Sequence, residues 1–197
     1  SKNVRILYPM ITTPEELIRA NEYLDQVKAE FEERSTDFDC EVKVGIMIEV
    51  PAAALIADRL APMVDFMSIG TNDLFQFTMA VDRTNQRLAP LFDPINLPML
   101  RLIKFVVEQA AKYDVPVSCC GEMASLPAGC LALMGLGLRE FSMNVFSIPR
   151  IKQLIRSIDA RAITAIVEEA MVCTTTAEMR ARLDAYLEQH LKVTSGE

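Results

Sequence analysis

Short, mostly apolar runs of β-forming residues alternate along this chain with longer amphipathic stretches. Such alternation is typical of parallel strands joined by crossover helices. We predict five strands, at residues 4–8, 42–50, 64–69, 115–119 and 140–143. Several of these runs are apolar almost throughout, as expected of strands covered on both faces. The chain therefore belongs to the α/β class.

Capping signals divide the remainder into helices. Thr13, Pro14 and Glu16 predict a helix start, and Leu17, Ala20, Leu24, Val27 and Phe31 then recur on one face. A second helix is predicted after Asn96, and the last helix opens with Thr175 and Glu178. We interpret residues 1–146 as strand-helix units and residues 147–197 as two or three closing helices, within one domain spanning 1–197.

Composition excludes several classes of function. The 197 residues are 51% hydrophobic and 24% charged, enough for one core-bearing domain, and the net charge is −7. An acidic chain lacks the basic footprint of a nucleic-acid binder, so no nucleic-acid partner is expected. No apolar run approaches the roughly 18 residues of a membrane span, and the N-terminus does not resemble a signal peptide. Five cysteines without CxxC spacing indicate reduced thiols in the cytoplasm.

Polar residues recur where the predicted strands end. Glu49 follows the second strand, Asn72 and Asp73 follow the third, and Cys120 follows the fourth. Because parallel α/β folds assemble their active sites at the carboxyl ends of strands, these residues are expected to share one rim. Glu49 and Asp73 are hard oxygen ligands suited to Mg²⁺. The alternative is that Glu49, Asn72 or Asp73 caps the helix that follows it.

Two arginines and one cysteine complete the candidate site. Arg5 lies inside an apolar strand, where it needs an anion unless it pairs in a structural salt bridge or occupies the strand's exposed start. Arg83 is suited to bidentate capture of a carboxylate or phosphate, with Asp82 as the alternative partner. Adjacent strand residues face opposite ways, so Cys120, beside Gly121, is preferred to Cys119 for the rim. The only histidine, His190, is interpreted as structural or half-exposed.

The pattern alone leaves two architectures open. Five strands can form a small open sheet, or they can be most of an eight-stranded barrel, whose usual length is about 250 residues.

Five motifs, in order and spacing, resemble the phosphoenolpyruvate-binding domain of enzyme I of the bacterial sugar phosphotransferase system or its nitrogen-related paralogue. They are GIMIEVP at 45–51, SIGTNDL at 68–74, AVDR at 80–83, CGEMA at 120–124 and GLG at 135–137. The resemblance runs from Val4 into the C-terminal helices. It implies a (β/α)8 barrel that binds phosphoenolpyruvate (PEP) with Mg²⁺.

The same resemblance implies roles for individual residues. Glu49 and Asp73 would hold the metal, and Cys120 would give a proton to the enolpyruvate carbon. The substrate would contact Asn72, Asp73, Arg83 and a phosphate-binding arginine, Arg5. A histidine on a separate domain would take the phosphoryl group and pass it to a phosphocarrier protein, and the enzyme would be a homodimer.

Two departures from the family pattern are expected to matter. The chain begins where the family's barrel is already under way, with about five of eight strands, so the histidine domain and two substrate arginines are missing and the fragment alone is expected to be inactive. Ser125 and Leu126 stand where the family usually has Gly-Asp. A fragment of a pyruvate phosphate dikinase or PEP synthase and a non-catalytic dimerisation module are the alternatives.

Overall fold

A computed structural model describes residues 4–82, 85, 87–88 and 93–191. Five parallel strands form one sheet in the order β1-β2-β3-β4-β5. They are Arg5–Tyr8, Lys43–Ile48, Phe66–Gly70, Val117–Cys120 and Glu140–Ser142. All five predicted strands are confirmed, with no bound shifted by more than two residues. Sequential order without a reversal is the order of a (β/α) barrel, not of a doubly wound sheet.

The described residues form nine α-helices. They are α1 (Pro14–Glu33), α2 (Pro51–Leu55), α3 (Ala57–Leu60), α4 (Thr71–Met79), α5 (Leu97–Ala111), α6 (Pro127–Gly135), α7 (Ile148–Ser157), α8 (Ala160–Met171) and α9 (Thr176–Leu191). Short 3-10 turns lie at Ala61–Met63 and Glu122–Ser125. None of the described helices combines the length and apolar composition that a bilayer crossing requires.

The predicted helix caps are present. Thr13 and Glu16 form a capping box at the start of α1, and the Asn96 side chain accepts a hydrogen bond from the Met99 backbone at 3.0 Å. Glu178 accepts from the backbone of Thr174 and Thr175, and its own N–H donates to the Thr175 hydroxyl. Each of these helix starts could be predicted from the sequence, because a cap involves only three or four consecutive residues.

The two faces of the sheet differ in chemistry. Ile46, Ile48, Met67, Ile69 and Cys119 share one face and are fully buried. Right-handed crossovers between sequential parallel strands place the helices on a single face, and these apolar residues form the core beneath them.

The opposite face carries small and polar residues. The strand register aligns Gly45 with Phe66, and Gly70 with Cys120, on this face. A Cβ on Gly45 would lie 2.7 Å from the Phe66 ring, so the aromatic side chain occupies the space that glycine leaves. This face ends at the carboxyl edge of the sheet, where the candidate site lies.

Candidate active site

Glu49 lies one residue beyond β2 and is buried, with only 4% of its surface exposed. One carboxylate oxygen accepts a hydrogen bond of 2.8 Å from the backbone N–H of Met10, in the loop after β1. Met10 adopts a left-handed conformation (φ 56°), which brings its N–H to the carboxylate. Glu49 therefore joins the ends of β1 and β2 and does not cap α2, whose start has no side-chain cap.

Gly70, the last residue of β3, lies directly against Glu49. A Cβ on Gly70 would lie 3.0 Å from the Glu49 Cβ, 3.1 Å from its Oε2 atom and 2.9 Å from the Met47 sulfur. The close approach of the β3 backbone to the buried carboxylate thus requires glycine at position 70.

Asn72 connects the end of β3 to the loop after β4. Its Oδ1 atom accepts a hydrogen bond of 3.1 Å from the backbone N–H of Glu122. Thr71, fully buried, donates its hydroxyl to the Cys120 carbonyl oxygen at 3.3 Å. Gly121 has φ 122°, and a Cβ there would lie 2.3 Å from the Thr71 hydroxyl. Asn72 therefore binds a neighbouring loop and does not cap its own helix.

Asp73 lies in the first turn of α4, next to Asn72. A carboxylate at that position is stabilised by the positive end of the helix dipole. Glu49 and Asp73 thus come from adjacent units of the sheet and lie at the same edge. Within the described ranges, no group of three or more His, Cys, Asp or Glu side chains is arranged to hold a metal.

The two adjacent cysteines face opposite ways. Cys119 is fully buried on the helix-covered face, where burial first, and the neighbouring thiols second, raise the pKa of its thiol far above the usual range. Cys120 ends β4, is partly exposed, and is aligned with Gly70 on the polar face. Cys120 thus lies on the same face of the sheet as Gly70, and Cys119 lies on the opposite, buried face.

Arg5 does not lie at this rim. It starts β1, opposite Lys43 at the start of β2, and its guanidinium carbon is 5.4 Å from the centre of the Phe66 ring. Arg5 and Phe66 are the first residues of β1 and β3, and the rest of β1 lies between Arg5 and the carboxyl edge. Arg5 therefore occupies the exposed start of its strand, which was one of the alternatives to an anion partner, and its neighbour there is an aromatic ring.

Arg83 lies outside the described residues. His190 is partly buried on α9, with Nδ1 2.9 Å from the Tyr186 carbonyl and its ring stacked on Tyr186 at 4.0 Å, as expected of a structural histidine.

Sequence reasoning missed the contact from Met10, because no sequence signal connects a backbone N–H to a carboxylate 39 positions away. Ser125 accepts a hydrogen bond of 3.2 Å from Asn144, so this departure from the family pattern ties the loop after β4 to the loop after β5.

Sheets of this order build (β/α) barrels, and this chain has that type of fold. Residues 1–160 match the family model described as PEP-utilising enzyme, PEP-binding domain. The chain belongs to this family.

Curated relatives agree with that assignment. The chain is 41% identical over 184 residues to a protein of Listeria monocytogenes named phosphoenolpyruvate-protein phosphotransferase, covering 93% of this chain and 32% of the relative. A protein of the same name from Haemophilus influenzae is 39% identical over 182 residues, covering 92% and 32%. The chain thus spans about a third of the length of these relatives.

A citrate lyase structure from Burkholderia xenovorans LB400 shares the fold, with a TM-score of 0.54 at 18% identity over 98% of this chain and 65% of that one.

Proposed function

We propose that this chain is the PEP-binding part of a phosphoenolpyruvate-protein phosphotransferase. The observation that carries the proposal is the buried Glu49 carboxylate, packed on Gly70 beside the Cys120 end of β4, in a chain of the PEP-binding family. The acceptor histidine belongs to a part of the enzyme outside residues 1–197, since the single histidine, His190, is stacked on Tyr186. We propose one barrel domain, with strand-helix units in 1–146 and closing helices in 147–197.

Glu49 and Asp73 are proposed to hold Mg²⁺. The Glu49 carboxylate accepts a backbone N–H, and among the described residues no lysine or arginine forms an ion pair with it. A buried carboxylate in that situation suits a cation, because burying an uncompensated charge is costly. The two carboxylates leave further coordination positions for water and substrate oxygens, as is usual for Mg²⁺. When bound, the ion supplies positive charge against the developing enolate and phosphoryl oxygens.

Asn72 and Arg83 are proposed to orient the substrate, together with Asp73. With Oδ1 of Asn72 bonded to Glu122, its amino group is the end that can donate to a carboxylate or phosphate oxygen. A guanidinium at position 83 would bind the same groups in bidentate fashion.

Cys120 is proposed as the proton donor. When the P–O bond of PEP breaks and the phosphorus bonds to the acceptor nitrogen, the enolate of pyruvate remains. Its C3 carbon then takes the proton of the Cys120 Sγ–H bond, and the resulting thiolate regains a proton from solvent, to which Cys120 is partly exposed. An ordinary thiol is mostly protonated at neutral pH, so it can serve as the acid.

The metal assignment is tested in the complete enzyme by Glu49→Gln and Asp73→Asn. Each variant removes a charge and keeps the shape, so Mg²⁺-dependent PEP binding, measured by calorimetry, should weaken at least about tenfold. Glu188→Gln, an exposed change on α9, is the control. Normal binding by both rim variants would refute the assignment.

The proton donor is tested by Cys120→Ala. Pyruvate formation in a single turnover should slow by about 10²-fold or more, while PEP affinity changes little, because general acid catalysis contributes about that much. Cys173→Ala, at another partly exposed thiol, should leave both unchanged. Equal losses of rate and affinity would mean that Cys120 only packs against the substrate.

We also propose that the complete enzyme is a cytoplasmic homodimer that passes its phosphoryl group to a phosphocarrier protein. All five cysteines are free, which suits a reducing compartment. Sedimentation of the purified enzyme tests the dimer, and a monomer at all concentrations would refute it.

A further inference from the structure

The end of β4 is held from one side by the strand ladder and from the other by a hydroxyl group. Cys120 is the last residue of β4, and its pairing with Gly70 is the last pair between β3 and β4. Beyond it the chain turns at Gly121, where φ is 122°. The carbonyl oxygen of Cys120, at this end of the ladder, accepts a hydrogen bond of 3.3 Å from the Thr71 hydroxyl.

The Thr71 side chain is directed away from its own helix. Hydroxyl side chains near a helix start commonly cap that helix, but the start of α4 has no side-chain cap. The Thr71 hydroxyl instead binds a carbonyl 49 positions away, and the residue is fully buried. A fully buried side chain does not touch the substrate. Any effect of Thr71 on the reaction must therefore pass through the backbone group that it binds.

The residue after Thr71 holds the next peptide of the same loop. Oδ1 of Asn72 accepts a hydrogen bond of 3.1 Å from the Glu122 N–H. Gly121 lies between the two bonded peptides, and a Cβ there would lie 2.3 Å from the Thr71 hydroxyl and 3.1 Å from the Asn72 Oδ1 atom. We define the β3–β4 clamp as Thr71, Asn72 and Gly121. Two consecutive residues at the start of α4 thus hold the peptides on both sides of one glycine.

The β3–β4 clamp sets the direction in which the Cys120 side chain leaves the backbone. Pairing with Gly70 holds the backbone that leads into Cys120, and the hydrogen bond from Thr71 holds the peptide that follows it. The direction of a Cα–Cβ bond is determined by the N, Cα and C atoms of the residue. With both sides of Cys120 held, its sulfur can move only by rotation between staggered positions about the Cα–Cβ bond.

Proton transfer to an enolate carbon depends on this direction. The C3 carbon of the enolate is trigonal and can take a proton on either face, so one acid held on one side gives one stereochemical result. The acid must also come within hydrogen-bonding reach of the reacting atom, and a misplacement of about 1 Å can lower a rate by about 10²-fold. Asn72, a proposed substrate ligand, belongs to the same clamp, so substrate and thiol are held relative to one another.

We propose that Thr71 is a positioning residue for Cys120, whose hydroxyl holds the Cys120 carbonyl and thereby directs the Sγ–H bond at one face of the enolate C3 carbon. The proposal rests on the proposed function and deepens it, since it names the residue that makes proton delivery stereospecific. It assigns Thr71 to the protonation step and not to binding of PEP.

The test uses the complete enzyme with Thr71→Val and Thr71→Ala. Both variants remove the hydroxyl; valine keeps the volume and alanine avoids crowding against the carbonyl, so folding of either one is enough for the test. Thr71→Ser keeps the hydroxyl and is the rescue variant. Ser118→Ala is the matched control, because the Ser118 hydroxyl donates to the Met67 carbonyl, also at 3.3 Å, between the same two strands.

Four quantities are measured for each protein: the Mg²⁺-dependent affinity for PEP, the thermal midpoint, the single-turnover rate of pyruvate formation and the configuration of the pyruvate methyl group. For the last, PEP that carries tritium at one of its two C3 positions reacts in D₂O. The methyl group then holds one atom of each hydrogen isotope, and its configuration shows which face took the deuteron.

We expect Thr71→Val and Thr71→Ala to form pyruvate at least about tenfold more slowly, because the thiol is no longer aligned with the carbon. The preference for one methyl configuration should be lost, since water protonates an unserved enolate on either face. PEP affinity should match the wild type. Thr71→Ser should restore both rate and configuration, and Ser118→Ala should lower the thermal midpoint without changing either.

Several results would overturn the positioning role. A single methyl configuration in both hydroxyl-free variants, at any rate, would show that Thr71 does not direct the thiol. Weakened PEP binding with an unchanged configuration would assign Thr71 to the support of Asn72. An equal loss in Ser118→Ala would make the effect a general consequence of loosening β3 from β4. If the wild-type enzyme binds no PEP with Mg²⁺, or if Cys120→Ala keeps the wild-type rate and configuration, the proposed function or its proton donor fails, which is a different outcome from these.

Discussion

At the scale of single residues, the site depends on how closely backbones approach one carboxylate. Glu49 is held from one side by the Met10 N–H and from the other by the Cα of Gly70. Met10 lies in the loop after β1 and Gly70 ends β3, so the orientation of the carboxylate depends on the pairing of β1, β2 and β3. A carboxylate held in this way is preorganised, as the proposed Mg²⁺ site requires.

Gly70→Ala should therefore weaken Mg²⁺-dependent PEP binding in the complete enzyme. The added Cβ would lie 3.0 Å from the Glu49 Cβ and 3.1 Å from Oε2, so the carboxylate must shift. We expect an affinity loss of up to about tenfold, since a binding group must be held within about 0.5 Å of its productive position. Calorimetric titration measures the loss, and a thermal scan without ligand separates it from unfolding. Wild-type affinity in a folded variant would contradict this account of Gly70.

Some of these residues were predictable and others were not. Cys120 could be chosen over Cys119 because alternation along a strand is a local rule. Arg5 could not be located, because its neighbour Phe66 is 61 positions away and the cation–π contact leaves no local signal. Met10 was missed for the same reason: its left-handed backbone is imposed by the tertiary structure.

At the scale of elements, the start of β3 is connected to the start of β2 by one carboxylate. Asp65 accepts hydrogen bonds of 2.7 Å from the Lys43 Nζ and 2.8 Å from the Val44 N–H. Burial would raise the pKa of the Asp65 carboxyl, but the hydrogen bonds from Lys43 and Val44 lower it below its ordinary value of 3.8. The ionised form therefore stabilises the junction of the two strands.

Asp65→Asn should lower the free energy of unfolding at neutral pH by about 0.2–1 kcal/mol, the range of an exposed ion pair. Because the folded-state pKa is depressed, the advantage of wild-type Asp65 is fully present above 3.8 and is lost as the pH falls through the folded value. Urea unfolding at pH 7 and at successively lower pH measures the difference, with Asp37→Asn in an exposed loop as the control. A difference that persists unchanged below pH 3 would exclude the carboxylate as its source.

The bounds of strands and helices could be predicted from the sequence better than the burial of their faces. The five strands and three capped helix starts could be predicted, because hydrophobic alternation and capping motifs depend only on residues close together in the sequence. The apolar residues of α1 were predicted to share one face, but only Leu17 is fully buried, and Val27 and Phe31 line an open groove of about 310 Å³ beside β1. Periodicity identifies an apolar face, but what covers that face depends on other elements.

At the scale of the whole molecule, the C-terminal helices share one core with the sheet. Met179 and Leu183 of α9 are fully buried in the same apolar cluster as Ile46 and Met67. Nη1 of Arg180 donates to both carboxylate oxygens of Asp93, at 3.2 and 3.0 Å, and thereby fixes α9 to the segment before α5. The helix lies beyond residue 160, where the family match ends, but it packs as part of the same body.

Leu183→Ala tests whether that body unfolds as one unit. Deleting a fully buried leucine should lower the free energy of unfolding by about 2–5 kcal/mol, through lost apolar burial and the cavity that remains. Because the core is continuous, the loss should appear equally in β3 and α9, and hydrogen exchange should become faster at the amides of both elements by the same factor. Glu188→Ala, an exposed change on the same helix, should leave both rates unchanged. Faster exchange confined to α9 would show that the helix opens separately, and the C-terminal segment would then be an appendage of the sheet domain and not part of its core.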